Sequence, residues 1–181
     1  MTAEMAHWQR IAAVITVSDR VAAGQAEDAS GPALAGCLAA AGWTVVARKV
    51  TSDEADSIAQ ALVHLSDVMN VPLVLTTGGT GIAQRDVTPD ATHRVADREV
   101  PGIAEALRAA SLRHTPHAML SRATAAIRGA TLIVNLPGNP KAVGETFAVL
   151  APVLDHAIAL LAAAPIGQAG QHAAEHPVSR P

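Results

Sequence analysis

Gly78, Gly79 and Gly81 follow an apolar run directly, and Asp86 stands five residues beyond the last of them. Glycines permit positive φ and let a ligand approach the backbone closely. Successive N–H groups in such a turn cradle a phosphate. Thr77, Thr80 and Arg85 in the same stretch add two hydroxyls and a guanidinium. A carboxylate beside a phosphate cradle is unfavourable unless a cation lies between them. Mg²⁺, which takes one or two carboxylates together with substrate phosphates, is the natural candidate. Two plainer readings stand beside this one: a tight strand-to-helix turn without a ligand, and an Arg85–Asp86 surface pair or loop cap. The stretch matches neither G-x-G-x-x-G after a first strand nor G-x-x-x-x-G-K-[ST], so dinucleotide and P-loop mechanics are not supported.

Three other segments carry chemistry at comparable places. Asp19 and Arg20 follow the apolar run Ile11–Val17, Asp53 follows the run ending at Val50, and Pro137, Gly138, Asn139 and Lys141 follow Thr131–Leu136. In open α/β sheets ligands lie beyond the carboxyl ends of the strands. Convergence of separate segments on one rim is stronger evidence than any single motif. Asp53, with Asp56 three residues on, equally suits a helix N-cap. The eight histidines include no H-E-x-x-H, and no G-x-S-x-G elbow is present. Cys37 reads as a small core residue.

The elements that must position these residues alternate. Ile11–Val17 is apolar throughout, as in a strand buried on both faces. Pro32 suits the first turn of a helix whose face carries Leu34, Cys37, Leu38 and Ala41, with Gly42 as its stop. Trp43–Val50 reads as the second strand. A helix from Glu54 to Met69 buries Ile58, Leu62, Leu65 and Met69. Pro72–Thr77 reads as the third strand. Thr88 suits an N-cap with Pro89 first in a helix reaching Arg98. A further helix follows Pro101–Gly102, then a loop over 114–122 and a strand over Ala123–Ile127. Thr131–Leu136 is a strand, and Asn139 and Pro140 begin a final helix that Pro152 kinks or divides. The pattern predicts a three-layer αβα sandwich with a mostly parallel central sheet. The expected organisation is a lead-in over residues 1–10, one α/β domain over 11–164 and a disordered tail over 165–181.

Composition narrows the class. The 181 residues are half hydrophobic but only 2% aromatic, so Ala, Val, Leu and Ile must build the core. The formal charge of -3, without a basic block, argues against nucleic-acid binding. One cysteine excludes an internal disulfide. No stretch of 18 uninterrupted apolar residues suggests a membrane span, and no basic-then-apolar leader is seen. A cytoplasmic protein is expected.

With Thr76-Thr77-Gly78-Gly79-Thr80-Gly81 and Arg85-Asp86-Val87-Thr88-Pro89-Asp90, the chain resembles the Mog/MoaB family of molybdenum-cofactor biosynthesis. Ser18-Asp19-Arg20, Asp28 with Ser30-Gly31, Pro101-Gly102 with Glu105, Leu120-Ser121-Arg122 and Asn135-Leu136-Pro137-Gly138-Asn139-Pro140-Lys141 extend the likeness over most of residues 11–163. The resemblance implies a cytoplasmic, commonly trimeric domain that binds molybdopterin and a nucleotide. The Mog branch adenylylates molybdopterin with ATP, releasing pyrophosphate ahead of molybdate insertion, which implies hand-over to a molybdate-insertion protein. Its two functional acidic positions map onto Asp53 and Asp86, which would serve catalysis and hold Mg²⁺. The Thr77–Gly81 stretch and Arg85 would bind nucleotide phosphate. Asp19, Arg20, Ser121, Arg122, Pro137, Gly138, Asn139 and Lys141 would lie near the substrate. The alternative is a MoaB-like protein that binds molybdopterin without transfer. Competence-type hydrolases carry Gly-Gly-Leu-Gly followed by Asp-Asp, where this chain has Thr80 and Arg85.

Overall fold

The computed structural model describes residues 10–163. The expectations for the lead-in before Arg10 and for the tail from residue 165 fall outside that range. Strand β1 (Ile11–Val17) is buried almost throughout, as its unbroken apolar sequence requires. It pairs in parallel with β2 (Thr44–Thr51) on one side and with β3 (Leu73–Thr77) on the other. The two-residue β4 (Arg98–Glu99) pairs antiparallel with β5 (Ala125–Arg128), and β5 pairs antiparallel with β6 (Thr131–Leu136). Strand β6 runs parallel to β3, giving the order β2-β1-β3-β6-β5-β4.

Alternation along β1 sorts its side chains between two helical layers. Ala12 and Val14 face α2 (Ser30–Ala40), α5 (Pro101–Ser111) and α6 (Pro140–Ala163), through Leu34, Leu38, Leu107, Val143, Phe147 and Leu150. Ala13, Ile15 and Val17 face α3 (Ala55–Val63) and α4 (Thr88–Val95), through Ile58, Leu62, Ala91 and Val95. The result is the expected αβα sandwich. A single-turn helix, α1 (Asp19–Ala22), follows β1. The core consists of aliphatic side chains with Phe147 and Trp43, consistent with the shortage of aromatics.

Three local expectations are corrected and a fourth is narrowed. The helix expected over 54–69 starts at Ala55 and ends in a π turn, His64–Val68, whose wider winding shifts the stripe. Ile58, Leu62 and Leu65 are fully buried, but Met69 is 42% exposed. Thr88 does not cap α4: Val87 holds that position, and the Thr88 hydroxyl donates to the Gly78 carbonyl at 2.9 Å. Helix α4 stops at Val95, because Ala96 is extended and Arg98–Glu99 joins the sheet. Pro152 does not divide α6, which is one helix of 24 residues. Pro152 and Ala148, whose carbonyl the missing N–H leaves unbonded, both lie on the solvent-facing side, where water can serve that carbonyl. Helix α6 is long and apolar enough to cross a membrane by length and composition. Its Val143, Phe147, Leu150, Leu154 and Ile158 are nevertheless buried against the sheet and its neighbours, which accounts for that character as a core face.

Candidate functional site

Strands β1, β2, β3 and β6 are parallel, so their carboxyl ends share one edge of the sheet. The turn after β3 is wedged between two of the other ends. Gly78 (φ +101°) donates its N–H to the Leu136 carbonyl at 3.2 Å, and a Cβ on it would overlap the Val17 carbonyl oxygen. The Thr77 hydroxyl donates to the Pro137 carbonyl at 2.7 Å. A Cβ on Gly138 would lie 3.2 Å from Gly78 Cα, so the two loops meet backbone to backbone. The N–H groups of Gly79, Thr80 and Gly81 have no acceptor among the described residues. Three consecutive unpaired donors in a turn with Gly79 at φ +61° are the parts of an anion cradle. Gly78, by contrast, spends its N–H inside the fold.

The carboxylates surround this turn. Asp19 Oδ1 accepts the Asp53 N–H at 2.9 Å, and Asp53 Oδ2 accepts the Asp19 N–H at 2.7 Å. Asp53 is therefore no helix cap; its side chain ties the end of β2 to the end of β1. Asp53 Oδ1 has no hydrogen-bond partner among the described residues, and a Cβ on Gly79 would stand 3.2 Å from it. Asp86 Oδ2 accepts the Ala83 N–H at 2.8 Å and would lie 2.8 Å from a Cβ on Gly81. Side chains larger than hydrogen at 79 and 81 would thus crowd these carboxylates.

Electrostatics separates the two members of the pair. The Asp53 N–H, followed by the Arg85 guanidinium, holds the Asp19 carboxyl below its ordinary value. Burial pushes the Asp53 carboxyl up, against the opposing effect of the Asp19 N–H.

Two of the three candidate arginines are engaged within the fold. Arg85 donates Nε and Nη2 to Asp19 Oδ2 at 3.1 and 2.6 Å, and Nη1 to Glu54 at 2.6 Å. Arg122 donates its backbone N–H to the Thr80 carbonyl at 2.8 Å, Nη1 to the Asp86 carbonyl at 3.0 Å and Nη2 to Asp90 at 2.5 Å. Asn139 Oδ1 caps α6 by accepting the Lys141 N–H at 2.9 Å. The Lys141 side chain projects into solvent, 3.9 Å from Glu145, and the Arg20 side chain is exposed.

Two cavities open on this rim. One, of about 250 Å³, lies among α5, the 3₁₀ turn Pro116–Leu120 and the start of α6, with Thr80, Gly81, Ser121 and Pro137 on its wall. The other, of about 230 Å³, is bounded by Ser18, Asp28, Ser30, Gly78 and Gly138. The sequence reading gave no site role to Arg108 or His117, which line the first cavity, and it quoted Asp28, on the second, only as part of the resemblance. The motif of Asp28 with Ser30-Gly31 was the available signal for Asp28. Arg108 sits on a helix whose spacing advertises only its apolar face, and His117 lies in a stretch that reads as loop and forms the 3₁₀ turn Pro116–Leu120.

No group of three metal-ligating side chains occurs among the described residues. Two carboxylates beside an anion cradle nevertheless fit an Mg²⁺ whose remaining ligands are phosphate oxygens and water. Asp53 Oδ1 and the Asp86 carboxylate are the protein oxygens that would hold it.

Comparisons with known proteins agree with this geometry. Residues 13–156 match the family model described as "Probable molybdopterin binding domain". The molybdopterin adenylyltransferase of Escherichia coli K12 is 48% identical over 135 residues, covering 74% of this chain and 69% of that protein. The Helicobacter pylori molybdopterin adenylyltransferase is 39% identical over 150 residues, covering 82% and 85%. The crystal structure of the molybdopterin biosynthesis enzyme MoaB from Thermus thermophilus superimposes with a TM-score of 0.80 at 43% identity, covering 87% of this chain and 99% of that one. A mostly parallel sheet with a glycine turn and convergent carboxylates, matched along nearly its whole described length, places the chain in the Mog/MoaB family of molybdopterin-binding proteins.

Proposed function

We propose that the chain is a molybdopterin adenylyltransferase. The observation that carries this reading is the run of three unpaired N–H groups at Gly79, Thr80 and Gly81, flanked by Asp53 Oδ1 and Asp86. That arrangement suits a nucleotide phosphate accompanied by a divalent cation. The names of relatives 48% and 39% identical to it support the same activity.

In the proposed reaction a terminal phosphate oxygen of molybdopterin attacks the α-phosphorus of ATP. A new P–O bond forms, the bond from the α-phosphorus to the bridging oxygen breaks, and pyrophosphate leaves with that electron pair. The attacking phosphate is already ionised at neutral pH, so no general base is needed, and catalysis rests on positioning and charge stabilisation. The N–H groups of Gly79, Thr80 and Gly81 hold nucleotide phosphate oxygens. Asp53 and Asp86 would hold Mg²⁺, which when bound screens the two anionic substrates and stabilises charge in the in-line transition state. The two cavities, one walled by Thr80, Gly81 and Pro137 and the other by Gly78 and Gly138, would offer the two substrates separate berths beside one cradle. Ser121 and Pro137 belong to one berth and Gly138 to the other. A cytoplasmic homotrimer that passes its product to a molybdate-insertion protein completes the proposal.

The test is pyrophosphate release from ATP, Mg²⁺ and molybdopterin by wild type, Asp86→Asn and Asp53→Ala. Wild type should turn over, and each variant should lose about 100-fold or more. Molybdopterin binding without pyrophosphate from wild type would instead indicate a MoaB-like binder. Full activity in both variants would overturn the site assignment.

A further inference from the structure

Arg85 stands beside the proposed phosphate cradle, yet its guanidinium is directed at carboxylates. Its Nε–Nη2 fork closes on Asp19 Oδ2, and Nη1 closes on Glu54. Both bonds converge on one oxygen, so they pin Oδ2 and leave the plane of the carboxylate to be set by the donor that Oδ1 meets. With Oδ2 held, Asp19 Oδ1 is aimed at the Asp53 N–H, 2.9 Å away. The Asp19 N–H in turn holds Asp53 Oδ2 at 2.7 Å. Three constraints thus set one outcome: Asp53 Oδ1, without a partner among the described residues, is turned toward Gly79.

We infer that Arg85 is a positioning residue that orients the open oxygen of Asp53 through Asp19, and not a ligand of substrate phosphate. The inference rests on the transferase reading for its kinetic consequence but not for its structural one. All three partners are exposed, with side chains of Arg85, Asp19 and Glu54 at 54%, 43% and 58%. Ion pairs this exposed contribute little to stability. Orientation is what the arrangement supplies, and Arg85→Gln should fold. Capture of a substrate phosphate by the N–H groups already given to Asp19 and Glu54 would require Arg85 to release both, and with them the alignment of Asp53; one N–H on each of Nη1 and Nη2 is left over.

The test combines hydrogen exchange with steady-state kinetics on wild type, Arg85→Gln and Arg85→Lys. Without substrates, exchange over peptides covering Val17–Val21 and Thr51–Ala55 should quicken about tenfold in Arg85→Gln, with the melting temperature nearly unchanged. With substrates, kcat should fall about 10–100-fold while KM for ATP stays within about twofold. Arg85→Lys, which keeps the charge and loses the fork, should recover part of kcat, and it carries the test if the Gln variant fails to fold. Unchanged exchange, together with a KM for ATP raised about tenfold at constant kcat, would identify a phosphate ligand and overturn the inference. A wild type that releases no pyrophosphate removes the transferase reading alone. The exchange experiment then decides the role of Arg85 without it.

Discussion

Asp19 and Asp53 each accept the other's backbone N–H through a carboxylate oxygen, at 2.9 and 2.7 Å, locking the carboxyl ends of β1 and β2 together. The two residues have pKa shifts of opposite sign, and so opposite effects on stability. Asp19 is lowered from 3.8, first by the Asp53 N–H and then by Arg85. A carboxyl with a lower pKa folded than unfolded contributes stability above the unfolded value, and that contribution is lost as pH falls through the folded value. Wild type should therefore melt above Asp19→Asn near neutral pH, with the gap closing below 3.8. Asp53 is raised by burial, so its favourable contribution exists below 3.8 and is lost as pH rises through the higher folded value. Asp53→Asn should accordingly melt above wild type near neutral pH, a gain that shrinks on acidification. Thermal melts across pH check both signs.

Arg122 holds the other flank of the glycine turn through the carbonyls of Thr80 and Asp86 and the carboxylate of Asp90. Its side chain is 41% exposed, so Arg122→Ala should cost only about 1 kcal/mol or less. Activity should fall about tenfold, because the Asp86 carbonyl and the Asp90 carboxylate lose the guanidinium that ties them to the turn. Denaturant titration and pyrophosphate release separate these effects.

Asn135 is fully buried. It donates Nδ2 to the hydroxyls of Thr76 and Thr92, each at 3.0 Å, and accepts the Thr124 N–H at 3.4 Å. It bolts β3, α4 and the entry to β5 onto β6. Asn135→Ala leaves buried polar atoms without partners and should cost about 2–3 kcal/mol. Urea unfolding would show this as a lower midpoint at constant slope.

Gly78 combines φ +101° with no room for a Cβ beside Val17. Gly78→Ala should destabilise by about 2–3 kcal/mol and displace the cradle. Gly36, in α2, has nothing within 4 Å of the corresponding position. Gly36→Ala should be neutral or raise stability by up to about 1 kcal/mol in the same unfolding experiment.

Strands β1 and β6 were legible to the residue, because burial on both faces leaves an unbroken apolar run between polar ends. The convergence of Asp19, Asp53 and Gly78 followed from the same reading, since parallel strands place like ends together. The side-chain bonds were not legible. Asp53 with Asp56 carries the same sequence signal whether Asp53 caps a helix or grips Asp19, and only the position of the neighbouring strand decides. Thr88 likewise reads as a cap until Gly78 is seen to lie within reach of its hydroxyl. The two-residue β4 is too short for any periodicity, and the π turn ending α3 changes the winding without changing the residue types.

The pairing of β3 with β6 joins segments about sixty residues apart in the chain, as the Thr77–Pro137 hydrogen bond does. Contacts at that separation form late, because loop closure must precede any gain from them. Helix α4, strands β4 and β5, and helix α5 all lie between the partners, and the glycine turn acquires its Leu136 and Pro137 wall only when β6 docks. Competence to hold a ligand is thus tied to completion of folding. A chain still lacking β6 leaves the β3 edge open to another copy, so aggregation of unfinished chains is the hazard that accompanies this order of assembly.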